Sequence, residues 1–294
     1  MNFPLIKNTS RGSRLLVFLL LLIFGLVFSS VLAALFMMSG EGMADITNLQ
    51  ISQVISQIVG FMIPPLAYVM LVKDKPFNYL GFKRLQSWSL LGIIAMFTII
   101  PFLAWVTEWN DGIVFPESMK AIEESLRTIQ TLSNETTERF INEGTLFSSI
   151  FIVAVLAAVS EELLFRSVIQ KALVSLFKNA HIAIIVTAVI FSAFHGDIFG
   201  FVSRVLLGLM LGYMFWLSGS IWPSMLMHFT NNATIVTLYY LNNKDVINID
   251  MESFGQTDNV SVILISLVTT VAIFITCNRF SKRQDGLFRQ DLQD

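Results

Sequence analysis

Charge is scarce in this chain. Asp, Glu, Lys and Arg make up 14% of its 294 residues, while 54% are hydrophobic. With a mean hydropathy of +0.69, that balance excludes an ordinary soluble domain and points to an all-α, polytopic membrane protein. The lone cysteine, Cys277, sits in an apolar run, so no intramolecular disulfide is possible. A net charge of −2 and no basic patch argue against nucleic acid as a partner. There are three histidines, none in an HExxH zinc motif. Gly-x-Ser-Gly is absent, and Asp197 is the only aspartate in the apolar runs, so serine-type and aspartyl-dyad proteolysis in a membrane both lack their residues. No internal repeat, low-complexity tract or second domain is visible, and 1–294 reads as a single integral membrane domain.

What the chain does have is long apolar runs. Eight are read as spans, at about 15–38, 52–72, 88–107, 146–165, 181–197, 199–217, 221–241 and 259–277. Lys7, Arg11 and Arg14 precede the first run, as in a signal peptide. Its apolar stretch is longer than the roughly 7–15 residues of such a segment, which predicts a retained helix. With eight alternating spans and a cytoplasmic N-terminus, fourteen Lys and Arg fall in inner segments and four (Lys120, Arg127, Arg139 and Lys244) in outer ones. That asymmetry favours both termini on the cytoplasmic side, including the polar tail 279–294. The expected location is a bacterial cytoplasmic membrane. The largest segment between spans, 108–145, is acidic and extracytoplasmic in this topology. Met119, Ile122, Leu126 and Ile129 recur there at helical spacing, predicting an amphipathic surface helix that acts as a connector or a lid. Pro64-Pro65 is read as a break in the second run, and Gly208 and Gly212 as a close-packing GxxxG in the sixth.

Against this apolar background a few polar residues stand out. Glu161 and Glu162 are neighbours in run four. Each carboxyl at membrane depth costs roughly 2.5–3.5 kcal/mol, so the pair needs a reason. On a helix they diverge by about 100° and cannot share one task. Arg166 lies one turn beyond Glu162 and can neutralise it, leaving Glu161 unpaired as a candidate general base. The plainer reading is a buried salt-bridge cluster. His195 follows Phe191 by one turn at the end of run five. It is either a packing residue or a participant in the chemistry. In run seven, His228 and Asn232 are four apart on one face, able to stabilise an oxyanion or to hydrogen-bond between helices. Asn231 points elsewhere. Glu161, His195 and His228 could also form a three-ligand zinc site, although no single helix offers a ligand pair at i,i+3 or i,i+4.

Taken in order, Glu161-Glu162-Leu163-Leu164-Phe165-Arg166, Phe191-Ser192-Ala193-Phe194-His195 and His228-Phe229-Thr230-Asn231-Asn232 resemble the CAAX-protease and bacteriocin-processing family, also called the Abi family, which includes the Rce1-type prenyl-protein endopeptidases. The resemblance covers about 146–241. It implies an eight-helix glutamate-dependent intramembrane endopeptidase that needs no metal or cofactor. Glu161 and His195 would activate water, His228 and Asn232 would hold the oxyanion, and Glu162 and Arg166 would support them. The implied partners are membrane lipids and a hydrophobic or lipid-modified peptide. The residues leave oligomeric state open. The resemblance also imposes a structural demand. If span four ended at 165, Glu161 and His195 would lie near opposite membrane faces, so the helix must continue to about 177. The competing readings are a non-proteolytic immunity or scaffold protein of the same family and a proton-coupled transporter.

Overall fold

The computed structural model describes residues 5–6, 8–38, 45–251 and 253–282; the expected tail beyond 282 lies outside them. The described residues are helical and contain no strand. In chain order the helices are α1 (Arg11–Met37), α2 (Ile46–Val72), α3 (Pro76–Leu80), α4 (Ser87–Thr98), α5 (Ile100–Asp111), α6 (Lys120–Glu143), α7 (Leu146–Phe177), α8 (Ala180–Ala193), α9 (Phe201–Ser218), α10 (Ile221–Asn243) and α11 (Val260–Lys282).

By length and composition, α1, α2, α7, α9 and α11 are candidate membrane spans, and the bent pair α4–α5 makes a sixth. The pair bends by 48° because Pro101 lacks an N–H and its ring crowds the carbonyl one turn back. The apolar α8 has only 14 residues, too few to cross a hydrocarbon core of about 30 Å on its own.

Pro64-Pro65 does not break the second span. The helix runs from Ile46 to Val72, with a widened π-type turn over Ser56–Met62 just before the prolines. A π turn absorbs the donors that prolines cannot supply without ending the helix. Here α1 lies against α2 at close range. A Cβ on Gly25 would meet Pro64 at 2.6 Å, and one on Gly60 would meet the Ser29 hydroxyl at 2.8 Å.

The central element is α7. Its 32 residues make it about 48 Å long, and it is the most buried candidate span, at 56% against 22% for α1 and α11. Its start is set by a capping box between Thr145 and Ser148. This is the long fourth helix that the family resemblance required, and it puts Glu161 near the middle instead of at an end. Leu163, Leu164, Phe165 and Val168 of α7 join Phe18 and Leu22 of α1, Val69 of α2, Phe191 of α8 and Phe215 of α9 in one core cluster.

The GxxxG of α9 packs internally. A Cβ on Gly208 would meet Ala188 at 3.1 Å, and one on Gly212 would meet Ile184 at 2.9 Å, so both glycines receive α8. The acidic segment forms the expected amphipathic helix, α6. Its C-terminal end is anchored by buried Phe140 and Ile141, while Ile122, Ile129 and Leu132 stay exposed. An apolar stripe of that kind suits an interfacial position.

Candidate active site

Glu161 and Glu162 lie on the regular α-helical turn Ala157–Glu162, between π-type stretches at Ile150–Leu156 and Leu163–Gln170. Their divergence is realised in full. Glu162 is wholly buried and faces Arg166 and His228: Arg166 Nε donates to its Oε2 at 3.1 Å, and His228 Nδ1 lies 3.1 Å from its Oε1. Glu161 faces another quarter. Its Oε1 accepts from Gln57 Nε2 of α2 at 3.3 Å. Its Oε2 is buried without a protein hydrogen-bond donor, 4.0 Å from His195 Nε2 and 3.9 Å from His228 Nε2.

The structure therefore brings Glu161, His195 and His228 from three helical regions to one point. The spacings suit a water making hydrogen bonds of about 2.8 Å to each atom. They exceed the roughly 3.3 Å between ligands of a tetrahedral zinc with bonds near 2.0–2.1 Å. Among the described residues, no group of three His, Cys, Asp or Glu is placed to hold a metal ion.

His195 lies just beyond the end of α8. Its Nδ1 is 2.8 Å from the Phe191 carbonyl. A carbonyl only accepts, so Nδ1 carries the proton of the neutral ring and Nε2 presents its lone pair to the cleft. Gly196, at φ +68°, turns the chain away in the left-handed region. The loop is then pinned from two sides. Buried Asn110 of α5 donates to the carbonyls of Ile198 and Phe199 at 2.8 and 2.7 Å and accepts from Val202 N. Asp197 accepts from the N–H groups of Phe199 and Gly200 and pairs with Arg204 at 2.9 Å, which explains both charges at the ends of apolar runs. The His195 side chain is 34% exposed against 11% for Glu161, so the cleft opens on the histidine side.

His228 is 5% exposed and reaches the cleft from α10. The Phe191 ring lies between the participants, 4.8 Å from His195, 5.8 Å from His228 and 5.2 Å from the Arg166 guanidinium. Asn232 is one turn along α10 from His228. Its Nδ2 donates to the Val153 carbonyl of α7 at 2.9 Å, and its Oδ1 accepts from Asn231. One N–H of the Asn232 amide is thus spent between helices, and the second is its remaining donor. Asn231 also borders a separate cavity of about 200 Å³, in keeping with its pointing elsewhere.

Sequence reasoning missed Gln57 and Asn110. Gln57 is 5% exposed. Ser160 Oγ donates to its Oε1, which turns its amide N–H toward Glu161. The available signal was an amide inside an apolar run. Asn110, at the end of α5, left no such signal.

A family model described as type II CAAX prenyl endopeptidase Rce1-like matches residues 143–234. This part of the chain is Rce1-like. The matched stretch holds Glu161, Glu162, Arg166, His195, His228 and Asn232, whereas Gln57 and Asn110 lie outside it. No curated protein and no solved structure matches the chain. Residues 143–234 thus resemble the type II CAAX prenyl endopeptidases, and the apolar helices indicate an integral membrane protein.

Proposed function

We propose that the chain is an intramembrane endopeptidase that hydrolyses a peptide bond of a hydrophobic or lipid-modified substrate with a water activated by Glu161 and His195. The observation that carries this is the buried, undonated Glu161 Oε2 within 4.0 Å of two histidine Nε2 atoms. A water there directs one O–H to Glu161 and the other to the His195 Nε2 lone pair. Its own lone pair is then free to attack the carbonyl carbon. Glu161 takes a proton as the C–O bond forms, and that proton goes to the leaving nitrogen as the C–N bond breaks.

The oxyanion is met by His228 Nε2–H and the second N–H of Asn232. With Nδ1 donating to Glu162, His228 can also donate from Nε2 only when the ring is protonated, and the Glu162 carboxylate offsets that charge. Arg166 holds Glu162 in place. The reaction needs no metal in this reading, which the 4.0 and 3.9 Å spacings from Glu161 to the two histidines support. The membrane arrangement we propose is eight crossings with both termini on the cytoplasmic side of a bacterial membrane. It is supported by the Lys and Arg asymmetry and by the packing of α8 and α10 on α7.

The test is cleavage of prenylated and unmodified hydrophobic peptides by the purified protein, with and without a strong chelator. Cleavage that survives chelation and disappears in Glu161→Gln is the expected result. Activity that is lost on chelation and restored by zinc would replace the glutamate mechanism with metal-assisted hydrolysis. No cleavage of any peptide would favour the immunity or scaffold reading.

A further inference from the structure

A second polar concentration lies away from the cleft. The N-terminal turn of α1, the end of α2, α3 and the last two turns of α7 enclose a cavity of about 310 Å³. Lys171 marks its near side, ten residues and about 15 Å along α7 from Glu161. Five cations line it: Arg11, Arg14, Lys73, Lys171 and Lys178. No described acidic residue does. Lys73 and Lys171 both lie over the Tyr79 ring at 4.6 Å, and Lys171 also donates to the Tyr79 carbonyl. These contacts hold two of the cations at the wall. Among the described residues no carboxylate pairs with Arg11, Arg14 or Lys178. Cations gathered from separate helices around one cavity repel one another unless an anion joins them.

Two features give the anion its class. Arg guanidinium groups supply the fork that matches phosphate oxygens. Exposed Leu15 and Leu176, 40% and 64% accessible, also border the cavity and offer an apolar surface beside the charged one. A free anion has no use for that surface, whereas a lipid does. We propose that this pocket binds the phosphate headgroup of an anionic phospholipid, with its acyl chains lying along Leu15 and Leu176. Basic pockets between membrane helices on the side rich in Lys and Arg favour such headgroups. The proposal is independent of the hydrolytic reading.

The test uses the full chain purified in a mild non-ionic detergent. Its melting temperature is titrated with phosphatidylglycerol, phosphatidylcholine or inorganic phosphate, on wild type, Arg14→Gln and Lys178→Asn. Lys178 holds a left-handed φ of 56°, which asparagine tolerates, so this variant removes the charge without straining the turn. Phosphatidylglycerol should raise the melting temperature of the wild type at concentrations where phosphatidylcholine does not. Each variant should weaken the apparent affinity by about fivefold, with its lipid-free melting temperature unchanged. An equal response to phosphatidylcholine, or an undiminished response in both variants, overturns the site. Inorganic phosphate that reproduces the full shift at the same concentration overturns the lipid and leaves a free phosphate as the occupant.

Discussion

Two sides of a single helical turn treat a carboxylate in opposite ways. On the Glu162 side every group is enclosed: Glu162 and Arg166 are wholly buried, and the carboxylate is met by a guanidinium and an imidazole. On the Glu161 side one oxygen is tied to Gln57 and the other faces an opening toward His195 with no donor of its own. The first arrangement suits a structural ion pair, whose removal strands a buried charge. The second suits a base, whose removal strands no buried charge. Identical residue types one position apart are therefore suited to different work by their neighbours, not by their chemistry.

The sharpest way to break this contrast is Glu161→Gln. Hydrolysis should fall by about 10²–10⁴-fold while the melting curve hardly moves. Retained activity, or unfolding of this variant alone, would mean that the two roles are exchanged. Glu162→Gln and Arg166→Ala should instead cost about 3–5 kcal/mol in stability, read as a large drop in melting temperature in the same detergent. Asn110→Ala removes the clamp on the His195 loop and unpairs the buried Phe199 carbonyl and the half-buried Ile198 carbonyl, an expected loss of about 1–3 kcal/mol with activity reduced alongside. A normal melting curve and rate would show that the loop holds itself.

Gln57→Leu tests the Glu161 side without touching a reacting atom. The rate should fall about tenfold through lost positioning and recover in part in Gln57→Asn, which keeps an amide donor. A rate that does not recover in Gln57→Asn would reduce Gln57 to packing. The smallest effect is expected from Arg139→Ala. Arg139 and Glu143 share the i,i+4 spacing of Glu162 and Arg166, but their side chains are 35% and 48% exposed instead of buried. The hydrogen bond from Arg139 holds the Glu143 carboxyl below its ordinary range. Any contribution is therefore present above the usual glutamate pKa and fades as pH falls through the lowered value. Solvent screens such a pair, so melting curves with and without Arg139 should superimpose at neutral pH. A clear drop would show that spacing matters more than burial.

Much of the site was legible because polar residues are conspicuous in an apolar chain. Glu161, Glu162, Arg166, His195, His228 and Asn232 stood out for the cost of placing them there. Helix periodicity alone separated the two glutamates, and the demand for a longer fourth helix followed from the family resemblance, which has Glu161 and His195 share a water. Other features were hidden. Pro64-Pro65 looked like a break because sequence does not register a π turn that absorbs two prolines. Asn110 acts on a loop 88 positions away, and nothing near it in the chain announces that contact. The Asn232 amide looked free for an oxyanion, yet one of its N–H groups is already committed to Val153 on another helix.

The sequence by itself determined an all-helical membrane protein, the charge asymmetry along it, and which side chains needed a reason to be there, because hydrophobic cost and helical periodicity are local properties. Only the tertiary structure decided that His195 and His228 converge on the same oxygen of Glu161, that Gln57 takes the other, and that five cations from three helices share one cavity. Those are distances between elements far apart in the chain, set by how glycines, aromatic rings and bent helices pack, and no local pattern carries them.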